Sequence, residues 1–236
     1  MSMVRTSTRV ANRKVEGERE AAGGEPEREP LQIRRSYHHG DLARAVLERA
    51  RERLESDGEG AVSLRAIARD LDVDVAAIYR HFRSREALLS ALAREAFAAL
   101  AEAMERGRTR AGEDPEKALV AVGVAYVAFA TRRPRVFEAM FAQASRVPFE
   151  SVVGRATSGR DPASILSESW AALARERDVP PDGGGFALWS AVHGAAGLIV
   201  LGLGPDGERR RRAAAERVCR AIVAGAIADA GTPRAR

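Results

Sequence analysis

From residue 42 onward, apolar positions recur three and four apart, with little of the alternating β-branched pattern of a half-buried strand, so the chain reads as all-α. Leu42, Ala45, Val46, Ala50 and Leu54 form one stripe on a helix that opens at Tyr37–Leu42 and closes at Asp57, Gly58 and Gly60. Leu64, Ile67, Ala68 and Leu71 form a second, with Ser63 placed to cap its start. Asp72 and Val73 make a tight corner, Asp74 can cap the next helix, and Ile78 and Phe82 hold one side of that helix in the core. Ser84 then opens a long helix predicted to reach about Arg108, with Glu86 in its first turn.

Two short helices around a corner, leaning on a third, have the layout of a DNA-reading helix-turn-helix. The side of the second helix opposite Ile78 carries Ala76, Ala77 and Arg80. Small residues at a helix start let its backbone approach a groove, and the arginine beyond them can reach phosphate.

The stretch Tyr37 to Leu100 resembles the N-terminal domain of the tetracycline-repressor (TetR/AcrR) family of bacterial transcription regulators. The likeness is carried above all by Ser63-Leu-Arg-Ala-Ile-Ala, by Ile78-Tyr-Arg-His-Phe82 and by Arg85-Glu-Ala-Leu-Leu89. The resemblance implies a homodimer on a near-palindromic double-stranded DNA operator, with a ligand pocket in the C-terminal half and repression relieved by that ligand. It places Tyr79 and His81 at phosphate-contacting positions. The expected DNA-binding set is Arg34, Arg35, Tyr37, Ser63, Arg65, Asp74, Ala76, Ala77, Tyr79, Arg80, His81 and Arg85. Two residues depart from the family pattern: Asp72 stands where glycine is usual, and Asp74 where serine or threonine is usual. Asp72 tolerates a left-handed turn, whereas Asp74, with Asp70 and Asp72 nearby, sets negative charge on the side that should face phosphate.

Charge alone does not decide for DNA. The chain carries a formal net charge of +5, but residues 36–85 balance nine arginines against nine acids, so local placement of the basic residues carries the hypothesis. With 236 residues and 45% apolar content the chain can bury a sizeable core. The single cysteine, Cys219, leaves no intramolecular disulfide, and no apolar leader follows the start, so a reducing cytoplasm is expected. Four histidines and one cysteine without paired ligand spacing offer no metal site, and no phosphate loop or nucleophile elbow appears. No cofactor, and no enzyme, is expected. Residues 1–33 are charge-mixed, with Gly23, Gly24, Pro26 and Pro30, and are expected to be a disordered tail. A DNA-binding domain over 34–83 and a ligand-binding and dimerisation domain over 84–236 follow.

Beyond residue 110 the helix signals are proline-marked. Asp114-Pro115 starts a helix that Arg132-Arg133-Pro134 stops, a second runs over 134–144, and Asp161-Pro162 starts a third that ends near Asp178. Residues 183–204 hold no charged side chain and read as a buried helix, not a membrane span, because of their glycines and His193. Within them Trp189-Ser-Ala-Val-His-Gly194 resembles the tryptophan-histidine-glycine signature of one subgroup of the family's C-terminal domains. The last helix, about 205–230, carries Ala213, Val218, Ala221, Ile222, Gly225 and Ile227 behind the basic run Arg209–Arg212. The last two helices of each subunit are expected to form a four-helix dimer interface. Tyr126, Phe129, Phe137, Met140, Phe141, Trp170, Trp189 and His193 are expected to line a pocket for an apolar or aromatic effector. The alternative is a helical ligand- or protein-binding dimer that has lost DNA recognition, for which the three aspartates are the sequence argument.

Overall fold

In the computed structural model, residues 39–148, 153–155, 158–181 and 184–230 are described. The expected tail, and with it Arg34, Arg35 and Tyr37, lies outside them. The described elements are α1 (His39–Asp57), a 3-10 turn (Glu59–Ala61), α2 (Leu64–Asp70), α3 (Val75–Tyr79), α4 (Arg85–Ala111), α5 (Pro115–Arg132), α6 (Pro134–Ala144), α7 (Pro162–Glu176), α8 (Gly184–Val200) and α9 (Glu208–Ala230), with no strand among the described residues.

Local chemistry sets most of these boundaries. Side chains of Asp74, Ser84, Asp114 and Asp161 each accept a first-turn backbone N–H, from Ala76, Ala87, Lys117 and Ser164 respectively. Proline occupies the first position of α5, α6 and α7, where the missing N–H costs nothing. Ser63 precedes α2 in extended backbone, but its hydroxyl makes no capping bond, contrary to the expectation from sequence. α4 runs one turn past Arg108, to Ala111, and stops where Gly112 turns to φ 80°. α7 ends at Glu176, two residues before the expected limit, because Asp178 takes φ 54° and Val179 N–H returns to the Ala174 carbonyl. Asp72 does the same for α2 at φ 52°, with Val73 N–H on the Ala68 carbonyl.

One apolar core runs from the small N-terminal head into the C-terminal helices. Leu42, Val46, Ala50 and Leu54 of α1 meet Ile67, Ile78 and Phe82, and the same cluster continues through Leu88, Phe97 and Met104 of α4 to Leu119, Leu166, Val192 and Val223. Polar clamps tie head to core at the surface. Arg135, at the start of α6, donates to the carbonyls of Glu55 and Ser56 at the end of α1. Arg146 pairs with Glu59 at 2.9 Å. α9 turns Ala215, Cys219 and Val223 inward, while Ala221 and Gly225, from the stripe expected on its apolar side, are exposed. None of the described helices is long and apolar enough to cross a membrane, α8 included.

Candidate nucleic-acid interface and helical core

The corner between α2 and α3 is built so that its outer side is small and basic. Ile78 is fully buried and Phe82 nearly so, which fixes the rotation of α3. Ala76, Tyr79 and Arg80, three and four apart, therefore share the outward face, and all are exposed. Ala77, expected on that face, is half-buried and packs against the core. His81 is half-buried at the end of the turn. Arg65 and Arg69 of α2 are exposed and flank Asp72 and Val73 in one shallow recess.

The acids around the corner are largely committed to the protein itself. Asp70 accepts from Nε of Arg53 and Nε of Arg49, both at 2.7 Å, and from a second nitrogen of Arg53 at 2.9 Å. These bonds, Arg53 first, hold its carboxyl down at about 2. Asp74 accepts from Ala76 N–H at 2.8 Å, and Asp72 sits in the left-handed turn. Sequence spacing alone did not reveal that Asp70 faces two arginines of α1, 17 and 21 residues away.

Arg85 differs from the other basic candidates. Its guanidinium donates to the carbonyls of Val62 (2.9 Å) and Glu59 (2.6 Å) and lies 3.6 Å from the Glu59 carboxylate. It therefore latches the start of α4 onto the 3-10 turn, a structural role that the sequence did not suggest.

In the C-terminal half the expected pocket residues fall into four groups. Tyr126, Phe137, Phe141 and His193 form a ring cluster, with His193 lying 4.5 Å from Phe141 and 5.5 Å from Phe137 between ring centres. The Tyr126 hydroxyl is 2.9 Å from Nδ1 of His193 and receives Nε1 of Trp189 at 3.4 Å. Burial pushes the Tyr126 phenol up and His193 down, so both favour their neutral forms. Trp170 stands apart, donating to the Pro181 carbonyl and resting on Gly184, where any side chain would collide with its indole. Met140 is buried toward the head, against the same small recess as Leu54 and Gln143.

Phe129 belongs to a different space. It lines a groove of about 520 Å³ between α4, α5 and α9, which continues into a recess of about 220 Å³ along α5 and α9. None of the other seven expected pocket residues lines either space. The groove was not anticipated because its floor is mostly alanine and valine, the least distinctive residues of an alanine-rich chain.

Comparison with known proteins matches both halves. Residues 46–92 match the family model described as bacterial regulatory proteins, tetR family, and residues 119–222 match that of the tetracyclin repressor-like C-terminal domain. Over 63 residues the chain is 40% identical to the HTH-type transcriptional regulator Rv1816 of Mycobacterium tuberculosis, a match covering 27% of each chain. The chain thus spans about a quarter of the length of the curated relatives it matches. Among solved structures, a protein with unknown function from Rhodococcus sp. RHA1 aligns with TM-score 0.65 at 28% identity, covering 80% of this chain and 99% of that one. The TetR family transcriptional regulator PfmR from Thermus thermophilus aligns with TM-score 0.54 at 22% identity, over 76% and 97% of the two chains, a likeness of fold.

Proposed function

The chain belongs to the TetR family of bacterial regulatory proteins, and on that premise we propose that it is a cytoplasmic repressor. It binds a near-palindromic operator as a homodimer and leaves it when a small molecule occupies the C-terminal helices. The observation that carries the DNA-binding part is the outward face of α3. Its backbone is accessible at Ala76, Tyr79 and Arg80 stand one turn on, and Arg65 lies beside them on α2. Asp70 is neutralised by Arg49 and Arg53, which removes one of the three acids that sequence set against this reading.

The chemistry of the last two helices supports dimerisation. Phe186, Ser190, Gly194 and Leu198 recur four apart along the exposed side of α8, and Leu201 and Leu203 continue an apolar surface past its end. On α9, Ala221 and Gly225 are exposed, and a side chain added at Gly194, Gly197 or Gly225 would meet nothing within its own protomer. Small residues with no packing role inside the protomer suit the close approach of a second copy. The proposed pair of recognition helices then sits about 34 to 36 Å apart, one helical turn of DNA.

The likeness of Trp189–Gly194 to the tryptophan-histidine-glycine subgroup belongs to the same proposal, with Trp189 and His193 meeting on the Tyr126 hydroxyl. In it, Tyr126, Phe137, Phe141, Trp189 and His193 respond to the effector as a packed unit, and Met140 and Trp170 sit behind them. The test is fluorescence anisotropy of full-length protein on the DNA upstream of its own gene and on a scrambled duplex, at two salt concentrations. Selective binding with two subunits per site is expected; equal, weak binding there and to every duplex selected from random DNA overturns the reading.

A further inference from the structure

The groove between α4, α5 and α9 combines two properties that a helix–helix contact in a packed core does not combine: an apolar floor and an arginine rim. The floor is Val124, Ala125, Ala128 and Phe129 of α5. The groove stays open because small residues bring the backbones together on one side and leave space on the other. A Cβ at Gly107 would lie 2.9 Å from the Ala121 carbonyl oxygen and 3.2 Å from the Ala125 Cβ, so α4 and α5 already touch there. On the far side, α9 presents Arg212, Glu216 and Arg220 instead of the large apolar residues that would close the gap.

The charges around the rim do not balance. Glu116 is taken by Arg177 at 2.7 Å, from outside the groove, and Glu216 by Arg212 at 3.1 Å. Arg106 has a long pair with Glu102 at 3.9 Å. Arg110 and Arg220 line the groove with no ion pair among the described residues. The result is uncompensated positive charge beside an apolar floor, in a space within the range of about 300–1,000 Å³ usual for small-molecule sites. On α9, Arg212, Glu216 and Arg220 recur four apart on a different face from Ala221 and Gly225, so a dimer formed through the latter leaves the groove accessible.

We propose that this groove is an effector site for an amphipathic organic anion, an apolar chain or ring body with a carboxylate or phosphate head. The body lies along Val124, Ala128 and Phe129, and the head is held by Arg110 and Arg220. Its effect on DNA rests on the regulator reading above; the binding itself does not. The groove wall includes Ala103, Arg106 and Gly107 of α4, the same helix whose first residue, Arg85, is latched to the head. α4 has 27 residues. It is thus a lever about 40 Å long, and a tilt of about 5° at the groove moves its far end by about 3 to 4 Å. A ligand that prefers the tilted form lowers DNA affinity by its preference.

Calorimetric titration of the full-length protein, without DNA, with dodecanoate, dodecyl phosphate and dodecanol tests the site. Both anions are expected to bind at least tenfold more tightly than the alcohol, and the ratio between them separates a carboxylate from a phosphate preference. The double variant R110A/R220A, at two exposed positions, should lose at least tenfold for both anions while keeping its thermal midpoint; Ala128→Leu should weaken the anions and the alcohol alike by filling the floor. Equal binding of alcohol and anions, binding undiminished in R110A/R220A, or no binding below about 1 mM overturns the proposal. A protein that binds the anions but no DNA keeps this site and loses the regulator reading; one that binds an operator but none of the three probes does the reverse.

Discussion

Asp70 and Arg53 form a two-point contact, Nε at 2.7 Å and a terminal nitrogen at 2.9 Å, across the junction of α1 and α2. Arg49 completes the arrangement from one turn earlier on α1. An acid that sequence set among charges hostile to phosphate is thereby a strut of the reading head. Its loss acts on stability before it acts on DNA.

Asp70→Asn is therefore expected to lower the unfolding free energy by about 1 kcal/mol, the range of a partly exposed network, and to leave DNA affinity per folded molecule unchanged. The folded carboxyl sits at about 2 against an ordinary 3.8. Its contribution is present above pH 3.8 and disappears as pH falls toward 2, so urea curves of the two proteins should converge there. A constant difference across that range would assign the loss to packing instead.

At the DNA face, Arg80→Ala should weaken binding to all duplexes alike and reduce the slope of log affinity against log salt by about 1. Arg85→Ala should instead lower the thermal midpoint by releasing the turn at Glu59 and Val62, with little change in that slope. Asp74→Ser retains a cap for α3 and removes one negative charge, and is expected to tighten DNA binding without loss of stability. Anisotropy at three salt concentrations, paired with thermal melts, separates the three outcomes.

His193 is half-buried and lowered by desolvation, and it faces the Tyr126 hydroxyl and the rings of Phe137 and Phe141. The unfolded chain takes up its proton first as pH falls. The stability it contributes is full above its ordinary 6.5 and is lost as pH drops through its lower folded value. His193→Gln should flatten the stability profile below about pH 6.5, measured by urea unfolding; an unaltered slope would place the pH dependence elsewhere.

Gly225→Leu adds bulk where the protomer has open space, so the single subunit should fold unchanged. If α8 and α9 form the dimer, the variant should sediment as a monomer at micromolar concentration and lose cooperative operator binding. Sedimentation velocity on both proteins reads this directly, and an intact dimer would move the interface to another face.

The helices and most of their starts were legible in the residues themselves because the bonds that set them are local. Asp74, Ser84, Asp114 and Asp161 reach N–H groups two or three residues on, and proline and left-handed aspartate act on their own backbone. The helix-turn-helix was legible for the same reason, since Ile78 and Phe82 orient Ala76 and Arg80 by helical period alone. What only the tertiary structure decided depends on partners far apart in the chain. Arg85 is 23 residues from the carbonyl that holds it, and His193 is 67 from the tyrosine it meets. The grouping of the expected effector residues was decided on these grounds: large rings attract one another and fill their own space, so Tyr126, Phe137, Phe141 and His193 pack together. The open volume arises where Gly107, Ala125 and Ala128 leave something unfilled, and no single residue type signals that void.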